Sequence, residues 1–217
     1  MPFDAACADA ATELAAFADA PEGDDDRVYH LIDSASVIGR AHAMLDHART
    51  FAILSVTPAL IETLVEPLHR ATRRGIAVAC KVFEACERLA AETSIEMIID
   101  PRGPHALENA PGDWLILSVD GRASLQALFH ADSPRKRTPL LHLATYTTNP
   151  LLAWSQYSGL SSDLLLASVR RRIANGADAA TIGRELDRLA RFESSASAGK
   201  LALVRRFRSS PRRAGPR

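Results

Sequence analysis

The stretch Phe51-Ala52-Ile53-Leu54-Ser55-Val56-Thr57-Pro58 carries the strongest structural signal in the chain. Its apolar first part predicts a buried strand, after which Thr57 is suited to cap a helix and Pro58 to be its first residue. The helix is predicted to end at Gly75, and the apolar run 76–83 predicts a second strand. Short joints make this a βαβ unit, so the two strands should be parallel and buried on both faces.

The remaining pattern extends this unit into a larger sheet. A one-faced helix is expected at 34–48, Pro67 should kink the helix that follows Pro58, and the sequence becomes helical beyond Pro150. Further strands are predicted at Val28–Ile32, Ile95–Ile99, Trp114–Val119 and Leu140–Thr147. The expected fold class is therefore α/β, with a mixed sheet flanked by helices and a helical C-terminal extension.

Charge divides the 217 residues into three parts. Residues 1–26, expected to form a helical arm and linker, hold eight acids and no bases, whereas residues 200–217 hold seven bases and no acids. We therefore expect an acidic arm at 1–26, a main domain at 27–160 and a basic helical extension at 161–217. With a net charge of zero, the two ends are suited to pair within one chain or between two subunits.

Composition excludes several classes of protein. The three cysteines form no CxxC motif and have no histidine at metal-ligand spacing, so neither a metal nor a cofactor is expected. No apolar run approaches the roughly 20 residues that span a bilayer, and the N-terminus is acidic where a secretory signal is basic. We expect a cytoplasmic protein with no membrane partner.

Four segments, taken in order, resemble a known family. They are Ile53–Pro58, Arg73-Arg74-Gly75-Ile76, Leu115–Arg122 and Ala144–Pro150, the last containing an Asn-Pro pair. Together they resemble the C-terminal effector domain of TrmB-type transcriptional regulators, which has a phospholipase-D-like fold. The resemblance implies a sugar or similar small polar ligand, a role in transcriptional regulation, and a homodimer. Family members usually carry an N-terminal winged helix-turn-helix, for which the 27 residues before Val28 are too few.

The same resemblance argues against catalysis. Phospholipase-D-like enzymes use His-x-Lys followed, after four residues, by Asp, with histidine as nucleophile and lysine holding the phosphate charge. With Asp120 on that aspartate, Asp113 and Leu115 occupy the nucleophile and clamp positions, and no His-x-Lys occurs anywhere in the sequence. We expect no enzymatic activity. A phosphodiesterase with a differently aligned motif and a ligand-free adaptor protein remain as alternatives.

Five residues are candidates for binding the ligand: Ser55, Thr57, Asp120, Tyr146 and Asn149. Ser55 and Thr57 follow a parallel strand, where open α/β sheets tend to bind ligands, and Tyr146 could stack on a sugar. By the resemblance, Asp120 takes the place of the motif's aspartate, and Asn149 belongs to the family's strand that ends in an Asn-Pro pair. Structural roles compete with each of these: a turn for Asp120, and a helix cap for Thr57 and Asn149. We expect Ser55, Asp120 and Asn149 to converge in one cleft at the carboxyl edge of the sheet.

The basic end of the chain offers one candidate for DNA. Helical segments ending in a basic stretch loosely match a helix-turn-helix, with Lys200, Arg205, Arg206 and Arg208 as the phosphate contacts. A solvated helical tail with a basic end is the favoured alternative. DNA is therefore a possible partner that the sequence does not favour.

Overall fold

The computed structural model describes residues 26–90, 94–130, 139–193 and 198–209. Most of the predicted acidic arm, residues 1–25, lies outside the described residues, as does the end of the basic tail at 210–217. The described chain forms a seven-stranded mixed sheet in the order β1-β7-β6-β5-β2-β3-β4. The strands are β1 Val28–His30, β2 Phe51–Val56, β3 Ala77–Val82, β4 Ile95–Ile99, β5 Asp113–Val119, β6 Ala123–Phe129 and β7 Leu141–Thr147.

Helices lie on both faces of this sheet. They are α1 Ser34–Asp46, α2 Pro58–Ile61, α3 Val65–Arg73, α4 Glu87–Ala90, α5 Gly103–Glu108, α6 Pro150–Ala174, α7 Ala179–Leu189 and α8 Ala198–Ser209, with a 3₁₀ turn at Ala190–Phe192. The expected α/β class, a mixed sheet flanked by helices with a helical C-terminal region, is confirmed.

The predicted βαβ unit lies at the centre of the sheet. β2 pairs with β3 in parallel, in the register Phe51↔Ala77 to Ser55↔Lys81, and every residue of β2 is buried. The apolar sequence of β2 follows from this position, because helices cover both of its faces. β4 continues the parallel set beside β3, whereas β5 pairs with the other side of β2 in antiparallel orientation.

Pro67 has a stronger effect than the predicted kink. The helix that begins at Pro58 ends at Ile61, a turn occupies 62–64, and α3 begins at Val65. Pro67 has no N–H to donate and its ring would clash with the carbonyl four residues earlier, but both features are tolerated in the first turn of a helix. The chain therefore makes two helices, and Pro67 lies in the first turn of the second.

The two faces of the sheet pack into two separate hydrophobic clusters. α1, α2 and α3 cover one face, where alternate residues such as Leu54, Val56, Cys80 and Leu117 are buried. α6 covers the other face, where Phe51 stacks on Tyr157 with ring centroids 4.9 Å apart. Because strand residues alternate between faces, β2 contributes to both clusters.

The long helix α6 belongs to the sheet domain as much as to the C-terminal region. It runs without interruption across the predicted boundary between residues 160 and 161, and Leu160 and Leu164 both pack in the same cluster against the sheet. The Tyr157 hydroxyl donates to the carbonyl oxygens of Phe192 and Glu193, at 3.0 and 2.9 Å, which ties the 3₁₀ turn to α6. Residues from both sides of that boundary therefore pack in the cluster on this face of the sheet.

Candidate functional site

The three parallel strands define two opposite edges of the sheet. We call the edge where β2, β3 and β4 end, after Val56, Val82 and Ile99, the carboxyl edge. The edge where β2 begins, at Phe51, is the amino edge. In open α/β sheets ligands bind at the carboxyl edge, so the position of each candidate residue relative to these two edges decides its possible role.

Ser55 and Thr57 lie at the carboxyl edge, as expected, but their side chains hold another strand in place. The Ser55 hydroxyl accepts a hydrogen bond from the Trp114 indole N–H at 3.3 Å. The Thr57 hydroxyl accepts one from the Trp114 backbone N–H at 3.3 Å, and both hydroxyl-bearing residues are buried. They fix the start of β5 and its indole ring. Thr57 precedes α2 as predicted, although its side chain makes no capping hydrogen bond there.

Asp120 lies at the amino edge and is a structural anchor. Its carboxylate accepts hydrogen bonds from the backbone N–H groups of Arg49, Thr50 and Phe51 at 2.9–3.0 Å, and from the Thr50 hydroxyl at 2.6 Å. Asp120 and Gly121 both have positive φ, 54° and 62°, as the tight β5–β6 hairpin requires. Both carboxylate oxygens are therefore committed to the segment that leads into β2.

Asn149 also lies at the amino edge, where it caps α6. Its side-chain oxygen accepts from the backbone N–H groups of Leu151 and Leu152 at 3.0 and 3.1 Å. Its amide nitrogen donates to the Asp26 carboxylate at 3.1 Å. Asn149 therefore has the helix-capping role that competed with ligand binding as an interpretation of the Asn-Pro pair.

Tyr146 is half-buried on β7, on the face that α1 covers. The Arg40 guanidinium lies 4.5 Å from the centroid of its ring, and the Tyr29 ring centroid is 6.0 Å away. The ring is thus occupied by a cation from α1. A sugar would have to displace that contact in order to stack on the same ring face.

The expected convergence of Ser55 with Asp120 and Asn149 is wrong. β5 runs antiparallel to β2, so Val119 at the end of β5 pairs with Ala52, near the start of β2. β7 runs parallel to β5 because each is antiparallel to β6, so Asn149 lies at the same edge as Asp120. Ser55 is near the other end of β2, on the order of 15 Å away along the strand.

The positions that would carry phosphodiester chemistry also lie at the carboxyl edge. Leu115, at the phosphate-clamp position, pairs with Val56 and is fully buried in the core. Asp113, at the nucleophile position, is half-buried and pairs with Phe129 at the start of β5. Leu115 carries no charge with which to hold a phosphate, and Asp113 supplies a carboxylate where phospholipase-D-like enzymes use the imidazole of histidine.

A buried charge cluster, which the sequence did not predict, occupies the α6 side of the carboxyl edge. Lys81, near the end of β3, places its ammonium 3.1 Å from the Asp100 carboxylate and 2.5 Å from that of Asp163 on α6. Asp100, directly after β4, has no exposed side-chain surface and also binds the Arg102 guanidinium at 3.2 Å. We call Lys81, Asp100, Arg102 and Asp163 the buried charge cluster.

Hydrogen bonds hold Asp100 in its ionised form. Burial alone would raise the pKa of the Asp100 carboxyl, but hydrogen bonds from Arg102 and Lys81, with the charge of Lys81, outweigh it and hold the pKa at about 2. The Lys81 ammonium also lies 5.1 Å from the centroid of the Phe83 ring, which packs edge-on against Trp114. Asp100 is therefore an ionised carboxylate with two cationic partners, Lys81 and Arg102.

A cleft of about 310 Å³ opens on the other face of the sheet at the same edge. Its polar side chains are Glu62, Glu84, Glu87 and Arg88, and its apolar residues are Val56, Pro58, Ile61, Val82, Ala85 and Cys86. Arg88 binds Glu62 across the cleft at 2.5 Å, with both side chains largely exposed. We call this the carboxyl-edge cleft.

The two remaining acids of this cleft point to hydrogen bonding rather than metal binding. Glu84 and Glu87 are exposed, and within the described residues neither forms an ion pair. In the same part of the chain, no group of three or more His, Cys, Asp or Glu side chains is arranged to hold a metal ion. Cys86 is buried, and its thiol lies 3.9 Å from a Glu62 carboxylate oxygen.

The basic residues proposed for DNA all lie on α8. Lys200, Arg205 and Arg208 are on α8, with Arg205 and Arg208 exposed, whereas the side chain of Arg206 is outside the described part of the chain. Three arginines of the neighbouring segments are paired with acids: Arg172 and Arg188 bind the buried Glu185, and Arg188 and Arg191 bind Glu96 on β4. The charge available for phosphates is smaller than the sequence suggests.

No protein-family model and no curated protein matches the sequence. Similar solved structures include one described as "Structure of TrmBL2, an archaeal chromatin protein, shows a novel mode of DNA binding", at 16% identity and a TM-score of 0.43 over 70% of this chain. The chain spans 57% of that protein's length. Another is a phospholipase D family member, Nuc from Salmonella typhimurium, at 17% identity and a TM-score of 0.39, covering 59% of this chain and 86% of that one.

Across residues 26–90, 94–130, 139–193 and 198–209, no helix is long and apolar enough to cross a membrane.

Proposed function

We propose that the chain is a non-catalytic regulatory domain that binds a small polar ligand in the carboxyl-edge cleft and acts in transcriptional regulation. The observation that carries this proposal is the position of the cleft, at the ends of the parallel strands β2 and β3. Open α/β sheets bind ligands at that edge because the loops leaving the strands there diverge and leave a crevice. The resemblance to TrmB-type effector domains supports the regulatory role.

The chemistry of the cleft suits a ligand with several hydroxyl or amino groups. Glu84 and Glu87 offer acceptors that no ion pair occupies within the described residues, and Arg88 offers donors beyond its contact with Glu62. Val56 and Val82 form an apolar floor, as ligand sites commonly have. A phosphorylated or carboxylated ligand fits poorly, since three carboxylates face one guanidinium.

The buried charge cluster contributes rigidity rather than contacts. Lys81 joins the ends of β3 and β4 to α6 on the opposite face of the sheet from the cleft. Because Lys81 and Asp100 are paired and buried, the ends of β3 and β4 have little freedom to separate. A ligand would therefore meet a floor that is already formed, which reduces the ordering cost of binding.

The absence of catalysis is a separate part of the proposal, with its own test. Leu115 is buried where a phosphate clamp would stand, and Asp113 would repel a phosphate. We expect no hydrolysis of bis(p-nitrophenyl) phosphate above the rate in buffer. Turnover that is lost in the Asp113→Asn variant but retained in Asp187→Asn, which changes a distant exposed acid, would show that the chain is a phosphodiesterase.

The ligand proposal is tested by thermal shift and calorimetry against a panel of monosaccharides, disaccharides, polyols and small polyamines. Compounds of the panel that raise the melting temperature of the chain should bind the Glu84→Gln and Arg88→Ala variants at least tenfold more weakly. Arg73→Ala is the matched control, because the Arg73–Glu66 pair is as exposed as Arg88–Glu62 but lies outside the cleft. Binding that survives both cleft variants would place the ligand elsewhere.

A ligand-free adaptor is the second candidate, and one observation favours it. Asp120 and Asn149, the two positions that the resemblance implied for a ligand, are both used by the chain for its own hydrogen bonds. If no member of the panel raises the melting temperature of the full chain, the result favours a ligand-free adaptor over a ligand-binding regulatory domain.

A further inference from the structure

Two exposed histidines meet where β6 ends and β7 begins. His130 directly follows β6, and His142 is the second residue of β7. Their imidazole rings lie 4.9 Å apart, measured between centroids, with an angle of 83° between the ring planes. The two residues are twelve positions apart in the sequence, so no local spacing marks them as partners. We call His130 and His142 the histidine pair.

The backbone on both sides of the histidine pair is held by strand pairing. A β-bulge lies between the pairs Leu128↔Leu143 and Phe129↔Leu141, and it makes His142 the extra residue of β7. A bulge turns a side chain out of the regular alternation of the strand, and bulges are frequent beside functional sites. The contact between the rings therefore follows from the irregular register of β6 and β7.

One backbone hydrogen bond closes the strands beyond the bulge. The His130 N–H donates to the Leu140 carbonyl oxygen at 2.9 Å. His130 and His142 are thus attached to two segments that are hydrogen-bonded to each other on either side of the bulge. Little backbone rearrangement is needed to keep the two rings together.

The separation of the rings suits coordination of one metal ion. Imidazole nitrogens bind Zn²⁺ at about 2.0–2.1 Å, so two rings that share a tetrahedral ion have centroids about 5 Å apart. The histidine pair already has this separation. Edge-to-face packing of two rings occurs over about 4.5–7 Å, which includes the same distance. Coordination and simple packing therefore differ in what the pair binds, not in the distance between its rings.

The donor set determines which metal ions fit. Imidazole suits Cu²⁺, Ni²⁺ and Zn²⁺, whereas Mg²⁺ and Ca²⁺ require oxygen ligands. Among the residues that the structure describes, no third His, Cys, Asp or Glu completes a group with the histidine pair. Two protein ligands are fewer than the four of a structural zinc site, so water fills the other positions. An ion with such open positions can bind donor atoms of another molecule in place of water.

We propose that His130 and His142 jointly bind a divalent transition metal ion of the class formed by Cu²⁺, Ni²⁺ and Zn²⁺. The bound ion joins the end of β6 to the start of β7. The site is separate from the carboxyl-edge cleft, because β5 lies between β6 and the strands β2 and β3 that line the cleft. The proposal is therefore independent of the ligand proposed for the cleft.

Isothermal titration calorimetry of the full chain with copper(II) sulfate, zinc chloride or magnesium chloride tests the site. We expect Cu²⁺ to bind more tightly than Zn²⁺, and Mg²⁺ not to bind at the pair. His130→Ala and His142→Ala should each lower the affinity at least about tenfold, because the second ligand of a linked pair binds as an intramolecular step. His47→Ala is the matched control, since His47 is also exposed but follows α1, outside the pair.

Three outcomes of this titration would overturn the proposal. The first is an unchanged affinity in either variant of the pair. The second is an equal loss of affinity in His47→Ala. The third is binding of Mg²⁺ that disappears when the pair is changed, because two imidazoles do not provide the oxygen ligands that Mg²⁺ requires.

Pulsed electron paramagnetic resonance of the Cu²⁺-loaded chain separates one shared site from two independent ones. We expect two imidazole rings on one ion in the unchanged chain and one ring in either single variant. His142→Phe keeps a ring beside His130 but removes the ligand nitrogens, so it should bind Cu²⁺ as weakly as His142→Ala. Circular dichroism confirms that the variants are folded. Two ions per chain with one ring each, or full affinity in His142→Phe, would contradict joint coordination.

Discussion

The two edges of the sheet use polar residues in opposite ways. At the amino edge, Asp120 and Asn149 satisfy backbone N–H groups that the chain would otherwise leave open. At the carboxyl edge, Lys81 and Asp100 hold strand ends from one face, while a cleft with accessible acids opens on the other. Polar residues at a sheet edge therefore indicate a ligand only where their hydrogen-bonding capacity is not already used by the fold.

The largest effect should come from the carboxyl edge. Replacing Lys81 with Met leaves the buried Asp100 with Arg102 as its remaining ion-pair partner. Removing one member of a buried ion pair costs about 3–5 kcal/mol, so the free energy of unfolding in urea should fall by about 3 kcal/mol. Arg73→Ala, which removes an exposed pair, should cost less than about 0.5 kcal/mol. If Lys81→Met lowers the free energy of unfolding no more than Arg73→Ala does, the buried charge cluster does not stabilise the fold.

Acid should weaken the same edge. The folded pKa of Asp100 is lowered to about 2 from 3.8, so its contribution to stability is complete above the unfolded pKa and is lost as the pH falls through the folded pKa. The Asp100→Asn variant should therefore lose less stability than the unchanged chain between pH 5 and about 2. The measurement is the denaturant midpoint of each protein at several pH values across that range. If the midpoints of the two proteins fall equally as the pH is lowered, Asp100 is not the group responsible.

The amino edge should give intermediate effects on stability and none on binding. Asp120→Asn retains a residue that tolerates positive φ but removes a carboxylate that accepts four hydrogen bonds, at a cost of about 2 kcal/mol. Asn149→Ala removes a helix cap and should cost about 1 kcal/mol. Ligands found with the panel should bind both variants with unchanged affinity. A tenfold loss of ligand affinity in either variant would instead indicate that the ligand binds at the amino edge.

The smallest effect should be on DNA. Arg172, Arg188 and Arg191 are engaged by Glu185 and Glu96, so these three guanidinium groups are less available to phosphates. We expect fluorescence anisotropy of random duplex DNA to show negligible binding at physiological salt. Tight binding that weakens steeply with salt, and is lost in Arg205→Ala with Arg208→Ala, would instead make α8 a DNA-contacting element.

The sequence predicted the parts of the fold that depend on local patterns. The strand at 51–56, the helix start at Pro58, the parallel β3 and the helical C-terminal region all follow from apolar periodicity and capping residues. β6 was not predicted, because its sequence mixes small and large apolar residues and only Gln126 is exposed.

The candidate site was harder to predict because it depends on strand direction and on distant pairs. Nothing in the local pattern says that β5 is antiparallel to β2, and this orientation alone separates Ser55 from Asp120. Lys81 and Asp163 are 82 residues apart in sequence, so neither indicates the other. A lysine inside an apolar strand was the one available signal, since a buried lysine requires a partner.

The contact between Gly199 and Gly121 gives the hairpin a mechanical role. A side chain on Gly199 would overlap the Gly121 carbonyl oxygen, so the backbone of α8 rests directly on the turn that Asp120 anchors to the start of β2. Backbone-to-backbone contacts are stiff, because no flexible side chain lies between them to absorb displacement. A displacement at the start of β2 would therefore pass through the turn to α8, so the amino edge couples the sheet mechanically to the C-terminal helix.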